Sequence, residues 1–156
     1  MTRTANDPKG ADGMKMIPDV DVYVRFCETD AGGHVSNTSY FCYLEEARTK
    51  FFTGIRYGFE ETERENNFIL ARTECDFISQ AYSAQTLTVK SSIEHIGTKS
   101  FTLLHEIHEK ESGTLIARGR AVVVCFNFRE QRSVEISPGL RRTLQQYLDT
   151  SSAQEV

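Results

Sequence analysis

Asp30 stands in a turn, Glu28-Thr29-Asp30-Ala31-Gly32-Gly33, and seven residues later Asn37 opens a run with helical spacing. A carboxylate so placed has two readings. It can act as a general base or nucleophile beside a helix N-terminus, where unpaired N–H groups and the positive dipole end suit a developing oxyanion. Taken alone, an Asp beside two glycines is more often a plain turn residue. His34 shares the loop and, with Asn37, has two open roles, orienting a water or hydrogen-bonding across a subunit boundary, although a lone loop His is more often an ordinary polar residue. Glu45 is the carboxylate nearest the apolar face of the helix, a second candidate whose plainer role is a solvated or Arg48-paired side chain.

Other chemistries find little support. His105 and His108 lie three apart on a strand pattern and point to opposite faces, so they do not share a metal ion. No metal and no cofactor is expected. There is no P-loop or dinucleotide glycine motif and no GxSxG nucleophile elbow. Cys27, Cys42, Cys75 and Cys125 are widely spread with no CxxC pair, which favours reduced thiols over a disulfide framework or zinc site. A net charge of −4 argues against nucleic-acid binding. No apolar run reaches membrane-spanning length and the N-terminus lacks a signal-peptide core, so a cytoplasmic protein is expected.

The elements that must position Asp30 follow from periodicity. The 156 residues, 39% hydrophobic and 26% charged, suit one domain over 18–150, with loose tails over 1–17 and 151–156. Val20, Val22, Val24 and Phe26 alternate with polar residues, predicting a strand. Ser36 to Ser39 offer several N-caps, and Tyr40, Leu44, Ala47 and Phe51 mark the apolar face of a helix over 38–53. Phe41, Phe52 and Ile55 widen that face, and Gly54 and Gly58 are natural stops. A charged connector over 60–67 leads to strands over 68–78, 86–96, 100–109 and 115–128. Val122 to Phe126 are apolar on both faces, as in a central strand covered on each side. Leu140, Leu144 and Leu148 after Pro138-Gly139 predict a short final helix. One long helix must therefore cover one antiparallel sheet, a two-layer α+β domain.

The stretch VRFCETDAGGHVSNTSYFCYLEEARTKFF resembles the hotdog-fold acyl-CoA thioesterase family that includes 4-hydroxybenzoyl-CoA thioesterase. The resemblance rests on Phe26, Thr29-Asp30, Gly32-Gly33, Asn37-Thr38-Ser39-Tyr40 and Glu45-Glu46-Ala47-Arg48 in that order. It continues through DFISQAYSAQTLTV, HIGTKSF and LIARGRAVVVCF, from about Asp19 to Leu148. GHVSN is closest to the branch whose usual form is GHVNN. A branch linked to the cell envelope carries Tyr and His where this chain has Phe26 and Asn37. Ser83-Ala84 replaces the Gly-Asp or Gly-Glu common in the family.

This resemblance implies a curved antiparallel sheet wrapped around the long helix, and a homodimer or homotetramer with sites at the subunit interface. It implies hydrolysis of an acyl-CoA to a carboxylic acid and free coenzyme A. Asp30 would be base or nucleophile and the Asn37 N–H would polarise the thioester carbonyl, with His34 and Glu45 as further candidates. Gly33 and Tyr40 would line the substrate site, and Thr98, Lys99 and Ser100 the nucleotide edge, where Lys99 is suited to a phosphate. The alternatives are an acyl carrier protein thioesterase and a non-catalytic acyl-CoA-binding protein, since fold alone does not establish activity.

Overall fold

The computed structural model describes residues 17–55 and 66–149. The expected tails, apart from residue 17, and most of the charged connector with Gly58 lie outside the described residues. Asn66 and Asn67, read as connector, belong to a strand.

Val20, Val22 and Val24 turn inward as their alternation predicts, but strand β1 covers only Val20–Tyr23. Phe26, expected to close that strand, instead begins a 3-10 turn over Phe26–Glu28 and is 82% exposed. The Arg25 backbone N–H donates to Glu28 Oε1 at 2.8 Å, bending the chain out of the sheet. Helix α1 runs Asn37–Ile55, slightly longer at both ends than the apolar stripe required. Its buried residues are Tyr40, Tyr43, Leu44, Ala47 and Phe51.

The remaining strands are β2 (Asn66–Phe77), β3 (Thr86–Ile96), β4 (Ser100–Glu109) and β5 (Leu115–Asn127), followed by the two-residue β6 (Arg132–Ser133). Helix α2 spans Pro138–Gln145, capped by the Ser137 hydroxyl accepting from the Leu140 N–H at 3.2 Å. All pairs are antiparallel, in the order β1-β3-β4-β5-β2, with β6 also on β5. The result is the expected α+β arrangement, one long helix packed on one antiparallel sheet. No helix among the described residues is long and apolar enough to cross a membrane.

Registers place Ser91, His105, Gly119 and Cys75 in one row across β3, β4, β5 and β2. Leu44 of α1 sits directly on Gly119, where an added Cβ would collide with the leucine side chain. Towards the other end of α1, Phe52 packs on Phe68 with ring centroids 4.6 Å apart, and Phe51 meets Tyr147 at 5.6 Å. On β5, Val123 and Cys125 are buried, whereas Val122, Val124 and Phe126 on the opposite face are half-buried. That opposite face is thus less covered than its composition predicts.

The two sides of the sheet end differently. Beyond β1, the edge of β3 is covered by 147–149: the Ile93 N–H donates to Tyr147 O and the Asp149 N–H to Ile93 O, both at 2.8 Å. On the other side β2 pairs with β5 alone, and its outer edge has no backbone partner among the described residues.

Candidate active site

The turn after Glu28 folds on itself through backbone bonds. The Asp30 N–H donates to His34 O at 2.8 Å and the Gly33 N–H to Asp30 O at 3.0 Å. Gly33 has φ +82°, a left-handed conformation that costs glycine nothing and a substituted residue about 1–2 kcal/mol. Asp30 Oδ1 accepts from the Gly32 N–H at 2.9 Å, leaving Oδ2 without a partner among the described residues. A methyl group on Gly32 would stand 3.1 Å from His34 Nδ1 and 3.3 Å from Asp30 Oδ1. The imidazole and the carboxylate therefore flank one point.

Three further bonds dock this loop. The Ser36 N–H and the Ser39 hydroxyl both donate to Glu28 O, at 2.9 Å each, tying the turn to the first turn of α1. Val35 N–H donates to Ala81 O at 2.8 Å, and His34 bridges Tyr82 with ring centroids 5.3 Å apart. Glu28 also accepts from the Tyr43 hydroxyl at 3.1 Å; burial first, and the adjacent Glu28 carboxylate second, raise the Tyr43 pKa well above its usual range.

Asn37 is the first residue of α1, and among the described residues neither its backbone N–H nor that of Thr38 has an acceptor. Both point out of the helix N-terminus, where the dipole favours negative charge. Asp30, His34, Ser36, Asn37 and Tyr40 line an open cleft of about 410 Å³, closed on the far side by Phe77, Ser79 and Gln80. Tyr40 is 5% exposed and packs on Phe77 at 5.3 Å, giving the cleft an aromatic wall. Burial raises the Tyr40 pKa above its ordinary value.

The structure thus gathers Asp30, His34, Asn37 and Tyr40, with Gly33 shaping the loop. It separates the others. Glu45 is exposed outside the cleft, close enough for its charge to raise the pKa of Arg48 against the lowering effect of burial. Thr98, Lys99 and Ser100 lie beyond the far end of β3, whose eleven residues span roughly 35 Å, whereas the Asp30 loop docks at the Thr86 end. The Gly97 carbonyl there accepts from Arg141 of α2 at 2.7 Å. Phe77, Ser79 and Gln80 were not singled out by sequence, because nothing local marks where the end of β2 meets the helix. His105 and His108 fall on opposite faces as expected: His105 under α1, His108 beside Glu106 at 3.8 Å.

Known proteins share this fold. A solved structure of a predicted thioesterase from Bacillus stearothermophilus superposes with a TM-score of 0.73 at 31% identity, covering 84% of this chain and 96% of that one. A solved gentisyl-coenzyme A thioesterase gives a TM-score of 0.69 at 26% identity, covering 81% and 99%. The long-chain acyl-CoA thioesterase FadM of Escherichia coli is 25% identical over 80% of this chain and 95% of its own. The thioesterase-like superfamily pattern matches residues 24–144, taking in the Asp30 loop, α1 and every strand from β2 to β6. The chain belongs to the thioesterase-like superfamily, as a single-domain hotdog-fold thioester hydrolase.

Proposed function

We propose that this chain hydrolyses acyl-CoA thioesters, with Asp30 and the Asn37 backbone N–H as its catalytic pair. The observation that carries the reading is that an unshared carboxylate oxygen and an unpaired helix N-terminal N–H line one cleft. The thioester carbonyl oxygen accepts from the Asn37 N–H, which polarises the carbon and holds the oxyanion as it forms. Asp30 takes a proton from a water that attacks that carbon, or attacks it directly to give an anhydride that water then opens. The coenzyme A thiolate leaves and is protonated. His34, flanking the same point as Asp30, orients the water.

The binding of coenzyme A in this reading uses two copies of the chain. A second β2 added antiparallel to the open edge of the first would place the Asn66 end of one strand beside the Phe77 end of the other. Ser100 pairs with Val124, close to Asn66 in the sheet, so the Thr98-Lys99-Ser100 turn of the second copy would lie on the side of the first copy's Asp30. About three strand spacings, roughly 14 Å, separate that turn's strand from the first β2. A homodimer thus reunites the two parts of the expected site that one chain keeps apart.

Thiol release from short, long and aromatic acyl-CoAs, measured with wild type beside Asp30→Asn, tests the chemistry. Turnover should fall roughly 10²–10⁴-fold in the variant with substrate binding retained. Full activity in Asp30→Asn would remove Asp30 from the mechanism, and absence of turnover on every ester would reject the hydrolase reading for coenzyme A. The same acyl groups on acyl carrier protein identify the preferred donor.

A further inference from the structure

Arg48 stands out among the half-buried arginines. Arg118 and Arg120 are paired with Glu106 and Glu94, and Arg141 with the Gly97 carbonyl. Arg48, half-buried on α1, makes no hydrogen bond and no close ion pair among the described residues; the exposed Glu45, one turn back, is the carboxylate whose charge reaches it. A second orphan lies beneath it. The His105 ring is 1% exposed; its Nδ1 shares a hydrogen bond with Ser91 Oγ at 2.8 Å, and its Nε2 is buried with no partner among the described residues. The positive charge of Arg48 is felt at that ring, adding to the effect of burial. A half-buried guanidinium without a hydrogen bond and a buried ring nitrogen without a partner share one region of the helix–sheet interface, and the buried nitrogen is costly unless something meets it.

Their place relative to the cleft is fixed by the packing. Arg48 follows Leu44, which sits on Gly119 in the row of His105 and Cys75, by one helical turn. It precedes Phe52, which packs on Phe68 of β2, by another. Phe41, Glu45, Arg48 and Phe52 thus form the helix stripe beside β2, opposite Cys75, Thr73 and Leu70. This seam starts at the Tyr40–Phe77 wall of the Asp30 cleft and reaches Arg48 roughly 12 Å further along the helix. Thr73 and Leu70 leave it open to solvent in the single chain.

We propose that the acyl group of the substrate runs from the Asp30 cleft along this seam and ends in a carboxylate, received by Arg48 with His105 beneath it. The proposal rests on the hydrolase reading above and specifies its substrate class as ω-carboxyacyl thioesters. The forked guanidinium suits a carboxylate, and the Nε2–H tautomer of His105, with Ser91 donating to Nδ1, offers one more donor. A wholly alkyl chain would seal both groups from water without partners.

The test compares kcat/KM for simple acyl-CoAs from hexanoyl to dodecanoyl with the matching ω-carboxyacyl-CoAs. At the best length the carboxylated ester should be favoured at least tenfold. Arg48→Met should bring that ratio to within twofold, Arg48→Lys should retain part of it, and thermal melting should show both variants folded. A wild-type ratio of one or below at every length overturns the proposal, as does a preference that survives Arg48→Met. If no ester is hydrolysed, the hydrolase reading fails separately. Competition binding of the corresponding non-hydrolysable thioethers then decides the inference, with equal affinities for the two series overturning it.

Discussion

Leu44 occupies the space above Gly119: a Cβ at Gly119 would stand 2.6 Å from Leu44 Cδ1 and 2.7 Å from Cδ2. Both residues are at the centre of the helix–sheet contact, so neither can retreat without moving α1 against β5. Gly119→Ala should therefore destabilise the fold by about 1–3 kcal/mol, as overpacking does, despite the better strand propensity of alanine. Urea unfolding measures it, and an unchanged midpoint would mean that α1 rides less tightly on the sheet.

His105 makes stability depend on pH. Burial first and Arg48 second lower its pKa to about 4, from 6.5 for a free imidazole. Between those values the unfolded chain binds a proton that the folded chain refuses, so stability rises with pH across the window. The contribution is complete above pH 6.5 and is lost as pH falls towards 4, reaching about 3 kcal/mol in all. At pH 5 the loss relative to pH 7 should be about 2 kcal/mol larger in wild type than in His105→Gln, read from urea unfolding at both values.

Asn37→Pro separates the backbone donor from the side chain. Proline is tolerated at the first helical position, and it removes the N–H proposed to hold the oxyanion. The variant should fold with nearly wild-type stability and lose roughly 10²–10³-fold in kcat, whereas Asn37→Ala, which keeps the N–H, should lose far less. Equal losses in the two variants would assign the role to the side chain.

Ala84 adopts φ 69° in the turn between Tyr82 and Gln85. A left-handed alanine costs about 1–2 kcal/mol, and glycine does not bear that cost. Ala84→Gly should raise the melting temperature, while Ala84→Val should lower it.

Most of the fold is legible because its signals are local. The alternation in β3 and β4 and the turns that flank them define both strands to the residue, Thr86–Ile96 and Ser100–Glu109. The errors come from interactions across the chain. β1 is cut short because Glu28 captures the Arg25 N–H, and two-residue β6 exists only by pairing with Phe126 and Asn127 of β5. The site divides in the same way. Asp30, His34, Asn37 and Tyr40 lie within eleven residues and announce themselves by turn and helix chemistry, whereas Phe77, Ser79 and Gln80 reach the cleft only through the register of β2. Arg48 and His105 carry no local mark at all, since an unpaired donor is visible only once its neighbours are placed.

The Asp30 loop is tied down by main-chain bonds, from Asp30 to His34, Ser36 to Glu28 and Val35 to Ala81. Its shape thus rests mainly on the main chain, with Gly33, the Asp30 carboxylate on the Gly32 N–H and the Ser39 hydroxyl on Glu28 O as the side-chain determinants. The opposite wall of the cleft, Phe77, Ser79 and Gln80, belongs to a different stretch of chain, anchored to β5 by the Phe77–Ala117 pairing and the Ser79 N–H on Ile116 O, with the Phe77 ring packed on Tyr40. Substitutions on that wall can change which molecules are accepted while the reacting groups keep their places. Natural drift, or a mutant library confined to those three positions, can therefore explore new substrates without first rebuilding the machinery that breaks the bond.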